Sequence, residues 1–265
     1  QWSFKDPSSL HSEKISGMGK KEVKMPKLSI IIPTYNEENY LPDLLKSIRT
    51  QNWQDYEIIV SDANSTDSTE QIAREFGARV VKGPKLGPGF GRNHGAEVAT
   101  GELLLFLDAD VRLPAPDFLK HAVEEFEKRG LGIAGFYCRA WDGHLVHRFL
   151  YRLANLFLRL TQRVDPHVPG WAILVRRSLH QAVQGFDVAP AFREDHEYLN
   201  RVRRLAKFGF LRAGPILVSV RRFVQDGTLK TLCIYLVTEL ARPFGRIPYA
   251  RFNYRLGGRK LTSQD

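Results

Sequence analysis

The residues best suited to chemistry in this sequence are Asp108 and Asp110, which flank Ala109 at the end of an apolar run. The run, Glu-Leu-Leu-Leu-Phe-Leu at residues 102–107, follows Gly101 and predicts a short buried strand rather than a helix. Alternation along a strand puts both carboxylates on one side and Ala109 on the other. Two carboxylates at the carboxyl end of a central parallel strand could hold a divalent metal ion. A solvated turn is the alternative interpretation, since aspartate is common in turns.

The elements that must position these acids alternate between strands and helices. Pro33 is expected to end the first strand, and Ser68 with Gln71 predicts a capping box at a helix start. This order predicts a parallel sheet with helices on both faces and with polar loops collected at the carboxyl ends of its strands. Strands are expected at residues 28–32, 56–60, 78–82 and 102–107, and helices at 37–51, from 68 onward and at 92–99.

The second half of the chain is more basic and more amphipathic. Residues 144–160 predict a helix with an apolar face edged by arginine, which suits a membrane interface, whereas packing against the core is the alternative. Residues 228–254 repeat this pattern. The other expected elements are helices at 116–129 and 194–207, strands at 130–139 and 210–220, and an extended segment at 169–175.

The composition narrows the class of protein and of partner. The chain has 265 residues, 43% hydrophobic and 26% charged, which suits one large domain with or without an appendage. Its 39 Lys and Arg against 29 Asp and Glu give a net charge of +10, which favours nucleic acid, an anionic membrane or a phosphate-rich substrate. Cys138 and Cys233 lack metal-ligand spacing, so we expect buried thiols in a reducing compartment.

The sequence shows neither a membrane-spanning run nor a secretory signal. No apolar run reaches the roughly 18 residues that cross a bilayer, so we expect a chain that does not cross one. A longer protein cut before a spanning helix would give the same pattern. The polar start of the chain is expected to include tag residues ahead of Met18.

Five stretches, in this order along the chain, resemble the motifs of family 2 glycosyltransferases. The resemblance implies an α/β glycosyltransferase A fold with a mostly parallel central sheet, a nucleotide-diphosphate sugar donor and a Mn²⁺ or Mg²⁺ ion. It implies a catalytic domain at 28–220. The polar composition before that domain predicts a tail at residues 1–27, and the pattern after it predicts a basic amphipathic segment at 221–265. The five stretches are residues 28–38, 57–67, 101–110, 185–187 and 193–197.

The resemblance also implies roles for individual residues. Asp110 would be the principal metal ligand, with Asp108 beside it. Arg221 and Arg222, which precede Phe223 as in membrane-linked members, could clamp the donor diphosphate; a solvated basic strand end is the alternative. The residues implied to contact the donor are Pro33, Tyr35, Glu37, Asp62, Arg92, Asp108, Ala109, Asp110, Arg221 and Arg222.

The acidic pair Glu194 and Asp195 matches the catalytic acids near the acceptor. Asp195 is the predicted general base of an inverting transfer, although acids also stabilise the first turn of a helix. A lipid phosphate acceptor, with a second pKa of about 6, would already be ionised at pH 7, and Asp195 would then position it. We expect transfer of mannose or glucose from a GDP- or UDP-hexose to a lipid-linked acceptor such as polyprenyl phosphate, by a peripheral protein at the cytoplasmic face of the membrane. A soluble acceptor is the alternative.

Three other classes of protein fit less well. The glycines of residues 87–91 do not have the Gly-x-Gly-x-x-Gly spacing of a dinucleotide site and follow the third predicted strand rather than the first. No Gly-Lys-Ser/Thr of a Walker A loop is present. A nucleic-acid-binding module without catalysis would explain the charge, but acids at strand ends would repel nucleic-acid phosphates unless a metal intervened. We therefore expect no nucleic-acid partner.

Overall fold

The computed structural model describes residues 25–188 and 194–240, and in these ranges eight strands form one mixed sheet flanked by nine helices. The strands are β1 (Leu28–Thr34), β2 (Tyr56–Asp62), β3 (Arg79–Lys82), β4 (Leu103–Leu107), β5 (Val111–Arg112), β6 (Ile133–Ala140), β7 (Ala172–Arg176) and β8 (Phe208–Val218). The helices are α1 (Leu41–Arg49), α2 (Thr69–Glu75), α3 (Pro88–Glu97), α4 (Phe118–Lys128), α5 (Leu145–Thr161), α6 (Arg177–Ala182), α7 (Glu194–Val202), α8 (Arg221–Asp226) and α9 (Thr228–Leu240).

The sheet has the order β3-β2-β1-β4-β7-β6-β8-β5. Strands β1 to β4 run parallel, so the loops that follow them meet at one edge. Strand β7 is antiparallel to both its neighbours, β8 is parallel to β6, and β5 is antiparallel to β8. The α/β fold with a largely parallel sheet is therefore confirmed, and the antiparallel pairings lie in the second half of the order.

Strand β4 is the centre of the core because its run is apolar without a break. Leu105 packs into the cluster on one face with α1 and α4, while Phe106 packs into the cluster on the other face with α7. Helix α3 lies close to β1, since a Cβ on Gly95 would stand 2.5 Å from the Ile31 Cγ2 atom. Burial on both faces is what a continuous apolar strand predicts.

Two local predictions in the first half were wrong. Strand β1 runs through Pro33 to Thr34 in its pairing with β2. Its pairing with β4 already ends at Ile31, so the N–H that Pro33 lacks leaves no hydrogen bond to β4 unmade. Ser68 makes no side-chain capping bond at the start of α2. The Asp67 carboxylate accepts the Thr69 backbone N–H there instead, at 3.0 Å.

Along the second half of β6, helix α5 lies at the strand edge where a neighbouring strand would otherwise pair. Strand β7 pairs with β6 only over residues 133–135. Beyond that point the Asn155 carboxamide accepts the Cys138 backbone N–H at 3.0 Å and donates to the Cys138 carbonyl at 2.7 Å. These two bonds satisfy a strand edge that would otherwise be unpaired and fix α5 beside the sheet.

The outward face of α5 is apolar and exposed. Leu145, Phe149 and Leu160 are 79%, 57% and 71% exposed, so the helix does not bury its apolar face in the core. Cys138 is buried as predicted, but Cys233 is exposed on α9 because Thr231 and Ile234 are the residues that face inward there. In the described part of the chain, every helix is too short or too polar to cross a bilayer.

Candidate active site

A cleft opens at the carboxyl ends of β1, β2 and β4, where the parallel arrangement brings three loops together. The Gly/Pro loop before α3 and the start of α8 complete its walls. Of the residues predicted from sequence, eight line it: Pro33, Tyr35, Glu37, Asp62, Asp108, Ala109, Arg221 and Arg222. Arg92 and Asp110 lie outside this lining and form ion pairs with its residues Asp108 and Arg221. Glu194 pairs in turn with Arg92, and Asp195 follows Glu194 in the chain.

Asp62 ends β2 and organises its loop. Its buried carboxylate accepts the Thr34 hydroxyl at 3.0 Å and the Ser65 backbone N–H at 2.9 Å. Both oxygens therefore have partners, although the residue still borders the cleft. On the facing loop, the Lys85 ammonium lies 3.5 Å from the ring centroid of Tyr35. Lys85 was not predicted from sequence; its signal is a basic side chain in a Gly/Pro loop after a strand.

Asp108 is held by Arg92, which is 2% exposed. The Arg92 Nη2 atom donates to the Asp108 Oδ1 atom at 3.0 Å and to the Gly170 carbonyl at 3.1 Å, and Nη1 donates to the Glu194 Oε1 atom at 3.2 Å. A Cβ on Gly170 would stand 2.8 Å from this guanidinium, so a side chain there would displace Arg92. Desolvation raises the pKa of Asp108, the Asp110 charge adds to the rise, and Arg92 opposes it. Arg92 therefore joins the two acidic motifs.

Asp110 is held by a second arginine. The Arg221 Nε atom lies 2.6 Å from the Asp110 Oδ2 atom, and the other guanidinium nitrogens donate to both carboxylate oxygens of Glu37. Burial raises the pKa of Glu37, and the bidentate contact with Arg221 opposes that rise. Arg221 lies in α8 rather than at a strand end, and its guanidinium contacts these two acids. Arg222 lines the cleft, and its charge lowers the pKa of Asp108.

Asp108 and Asp110 occupy a turn between β4 and β5, so strand alternation does not set their directions. The turn lets each carboxylate reach a different arginine, while Ala109 between them is buried, at 3% exposure. The second oxygen of each carboxylate accepts no hydrogen bond from the described residues. In the same residues, no three His, Cys, Asp or Glu side chains gather as a metal site. The oxygen donors present fit Mg²⁺ or Mn²⁺, which commonly combine one or two carboxylates with substrate phosphates.

Asp195 stands in the first turn of α7 beside Glu194. Its Oδ1 atom accepts the His196 backbone N–H at 2.7 Å, and its Oδ2 atom is 3.3 Å from the position of a Cβ on Gly170. Desolvation raises the pKa of Asp195 to about 7, and the Glu194 carboxylate adds to the rise. A carboxyl group with a pKa near neutral pH can accept a proton at pH 7. Arg193, which precedes this pair, lies outside the described residues.

The comparisons with known proteins agree with this geometry. The solved mannosyltransferase PcManGT from Pyrobaculum calidifontis, in complex with GDP-Man and Mn²⁺, superposes with a TM-score of 0.58 at 22% identity, over 73% of this chain and 56% of that one. That similarity shows a shared fold, and the prediction of a glycosyltransferase A fold is confirmed.

Two curated relatives share part of the sequence. GalNAc(5)-diNAcBac-PP-undecaprenol beta-1,3-glucosyltransferase of Campylobacter jejuni is 40% identical over 96 residues, which are 34% of this chain and 31% of that protein. Undecaprenyl-phosphate 4-deoxy-4-formamido-L-arabinose transferase of Pseudomonas fluorescens is 34% identical over 140 residues, which are 49% of this chain and 40% of that protein. The matches thus span about a third to two fifths of the length of these relatives.

A family model covers more of the chain than either relative does. The model described as Glycosyl transferase family 2 matches residues 29–183, which are more than half of the sequence and include β1 to β7 with the turn of Asp108 and Asp110. The enzyme class predicted from the sequence motifs is therefore confirmed. The chain is a glycosyltransferase and belongs to glycosyl transferase family 2.

Proposed function

We propose that this glycosyltransferase moves a hexose, mannose or glucose, from a nucleotide-diphosphate sugar to a lipid-linked acceptor such as polyprenyl phosphate, with inversion, at the cytoplasmic face of the membrane. The observation that carries the proposal is the linkage of Asp108 and Glu194 through buried Arg92, which joins the cleft lining to a second acidic pair and supports a donor site beside an acceptor site. Both curated relatives are named for undecaprenyl-linked substrates, which supports a lipid-linked acceptor.

The donor would occupy the cleft lined by Pro33, Tyr35 and Asp62, with its diphosphate toward Asp108. Lys85 and Arg222 line the same cleft, and their charges suit phosphate oxygens. The GDP-Man in the PcManGT structure supports a nucleotide sugar as donor. Arg221 uses three of its five guanidinium N–H groups for Asp110 and Glu37, so two remain for a contact with the diphosphate.

Asp110 and Asp108 would hold Mn²⁺ or Mg²⁺, with Asp110 as the principal ligand. Such an ion, when bound, stabilises the negative charge that develops on the departing diphosphate. The second, unbonded oxygen of each carboxylate supports this assignment, as does the Mn²⁺ in the PcManGT structure. Arg221 would orient Asp110 through its direct contact.

Asp195 would take the proton from an acceptor hydroxyl, or would orient an acceptor phosphate that is already ionised. Its pKa of about 7 supports the first role. Peripheral membrane contact is supported by the +10 charge and by the exposed apolar face of α5, where Leu145 and Leu160 are largely exposed. A lipid-borne acceptor has to be met at the bilayer surface, so these two features belong to the same proposal.

Thermal unfolding with nucleoside diphosphates tests the donor and metal assignments together. GDP or UDP with Mn²⁺ should raise Tm, because a ligand that binds the folded state stabilises it, and excess EDTA should remove most of the rise. Asp110→Ala should keep its own Tm near the wild-type value but lose the metal-dependent rise, and its turnover should fall by about 100-fold or more. Glu124→Gln, an exposed carboxylate on α4, is the matched control. Equal shifts with EDTA, or normal metal-dependent turnover of Asp110→Ala, would contradict the proposal.

A further inference from the structure

A second cleft lies between α5 and the sheet, outside the site described above. Its floor is the second half of β6 with the adjoining part of β8, and its wall is one flank of α5. The lining is strongly basic and contains no aspartate or glutamate. Six arginines line it: Arg112, Arg139, Arg148, Arg152, Arg159 and Arg212.

The positions of these arginines follow from the two elements that carry them. Arg112 on β5 and Arg139 on β6 are both register partners of Leu217 on β8, so they point to the same side of the sheet, roughly 10 Å apart across two strand spacings. On the helix, Arg148 and Arg159 lie on one flank of α5 and are separated by about 16 Å along its axis. The cleft is therefore basic along its length and on both sides.

Most of this charge is not neutralised within the protein. Arg112 forms an ion pair with Asp43. The other five arginines are exposed, and no carboxylate of the described residues lies within ion-pair distance of any of them. Two aromatic rings help to position the guanidinium groups: Arg112 lies 3.3 Å from the ring centroid of Trp141 and Arg159 lies 4.8 Å from that of Tyr137. Arginines without acidic partners, facing one another across a cleft, favour a ligand with several negative oxygens, and phosphate matches the guanidinium fork.

The apolar face of α5 adjoins this arginine row. Leu145, Leu156 and Leu160 lie on the outward side of the helix, next to the flank that carries Arg148 and Arg152. A free phosphate would use the arginines only. A phosphate attached to an apolar chain would use both surfaces, because its chain could lie along the exposed leucines while its phosphate enters the cleft.

The basic cleft also continues from the active site. Arg112 follows Asp110 by two residues, so their Cα atoms lie within about 7 Å of each other. The link between the two clefts is strand β5, which carries Arg112 and pairs with β8. A ligand whose phosphate enters at the Arg112 end of the cleft would reach toward the turn that carries Asp110.

We propose that this arginine cleft binds the phosphate group of the lipid-linked acceptor, with the apolar chain of the acceptor along the outward face of α5. The inference rests on the proposed function, in that it takes the acceptor to be a lipid-borne phosphate. It assigns that acceptor a phosphate-binding surface outside the donor cleft, built by Arg139, Arg148, Arg152, Arg159 and Arg212, from which the phosphate reaches the donor cleft at the Arg112 end for transfer.

Vesicle binding of the full chain tests this assignment. The variant Arg152→Gln/Arg159→Gln removes two cleft arginines, and Arg203→Gln/Arg204→Gln removes two exposed arginines beyond α7 as the matched control. Three vesicles are compared: phosphatidylcholine alone, phosphatidylcholine with polyprenyl phosphate, and phosphatidylcholine with phosphatidylglycerol at equal charge. Wild-type protein should bind the polyprenyl phosphate vesicles most tightly. The cleft variant should bind them about tenfold more weakly, since contacts to a charged group are lost, and the control should be unchanged.

Several results would overturn the assignment. Equal binding to the two charged vesicles would make the cleft a general anionic-lipid surface rather than an acceptor site, and equal losses in both variants would mean that only net charge matters. The Mn²⁺-dependent Tm shift with GDP or UDP is measured on the same samples. It should be identical in wild type and cleft variant, because the donor cleft is untouched. Loss of that shift in wild type would refute the donor assignment, while the vesicle series would still decide the role of the cleft.

Discussion

At the scale of single residues, the site is built around two buried arginines, each of which forms ion pairs with two acids. Arg92 contacts Asp108 and Glu194, whereas Arg221 contacts Asp110 and Glu37. Each arginine thus joins carboxylates that lie far apart in sequence and would otherwise repel one another. Asp195 has no such ion pair among the described residues, and desolvation next to Glu194 raises its pKa to about 7. Burial raises the pKa of Glu37 to about 7 as well, but Arg221 holds both oxygens of Glu37, so Asp195 is the better placed of the two to exchange a proton at neutral pH.

A general-base role for Asp195 predicts a pH dependence of the transferase reaction with a hydroxyl acceptor. Only the ionised carboxylate accepts a proton, so kcat/KM should fall about tenfold per pH unit below pH 7 and level off above it. Steady-state rates between about pH 5.5 and 8.5 measure this profile, and Asp195→Asn should lower kcat by about 100-fold or more.

The residual rate of Asp195→Asn provides the control for this profile. Burial also raises the pKa of Glu37, which the variant retains. If the residual rate of the variant no longer changes with pH, the profile belongs to Asp195. If the same slope persists in the variant, Asp195 is not the group that titrates. Asp117→Asn, an exposed carboxylate before α4, should behave as wild type.

At the scale of elements, the site is held where helix α3, strand β4 and helix α7 meet. Gly95 lets α3 approach β1 closely, which brings Arg92 beneath the turn after β4. Glycine at residue 170 leaves room for the same guanidinium before β7 begins. The antiparallel insertion of β7 beside β4 then places α7 on the far side of that guanidinium. The geometry of the acidic motifs therefore depends on the packing of three elements against one side chain.

Removal of Arg92 should therefore destabilise the whole domain. Arg92→Met would leave the Asp108 and Glu194 carboxylates without their buried partner, which costs about 3 kcal/mol or more in the free energy of unfolding. Arg74→Gln, which breaks an exposed pair with Glu70 within α2, should change the free energy of unfolding little, because water screens an exposed pair. Urea denaturation at pH 7.5 compares the two variants. Equal and small losses would mean that Arg92 does not hold these elements together.

At the scale of the whole molecule, the two clefts differ in charge. The proposed donor cleft mixes acids with arginines and lies at the carboxyl edge of β1 to β4. The arginine cleft, lined without acids, lies along α5, whose outward face exposes Leu145, Leu156 and Leu160. The net charge of +10 adds a long-range attraction to anionic surfaces. We expect α5 to lie against the bilayer while the donor cleft remains open to water.

This orientation predicts two separable contributions to vesicle binding. Binding to phosphatidylglycerol vesicles should weaken as salt rises from about 0.1 M to about 1 M, because the screening length falls from about 10 Å to about 3 Å. Leu156→Glu/Leu160→Glu should weaken binding at every salt concentration, since it removes the apolar contribution. Leu205→Glu, on an exposed turn after α7, is the control and should bind as wild type, apart from the added charge. Cosedimentation measures all three proteins. Unchanged binding of the α5 variant would place the membrane surface elsewhere.

The sequence alone determined the order of β1 to β4 and α1 to α3, the parallel core and the identity of the acidic motifs, because these depend on local periodicity and on short-range spacing. It did not reveal β5, α6 or α8. Short apolar runs located β1 to β4, and the turn after β4 carries Asp108 and Asp110. Predictions from local pattern were wrong where a contact distant in sequence sets the structure. Strand β1 continues through Pro33 because its pairing with β4 has already ended. Cys233 is exposed because Ile234 is the residue of α9 that faces inward.

Only the tertiary structure decided which charges meet. The pairing of Arg92 with Glu194 spans 102 residues and that of Arg221 with Glu37 spans 184, and neither leaves a local trace in the sequence. The same holds for Arg112 and Arg139, which β8 brings into one row. Sequence supplies the chemical types of these side chains, but burial and the path of the chain through the sheet determine their partners and hence their pKa values and their roles.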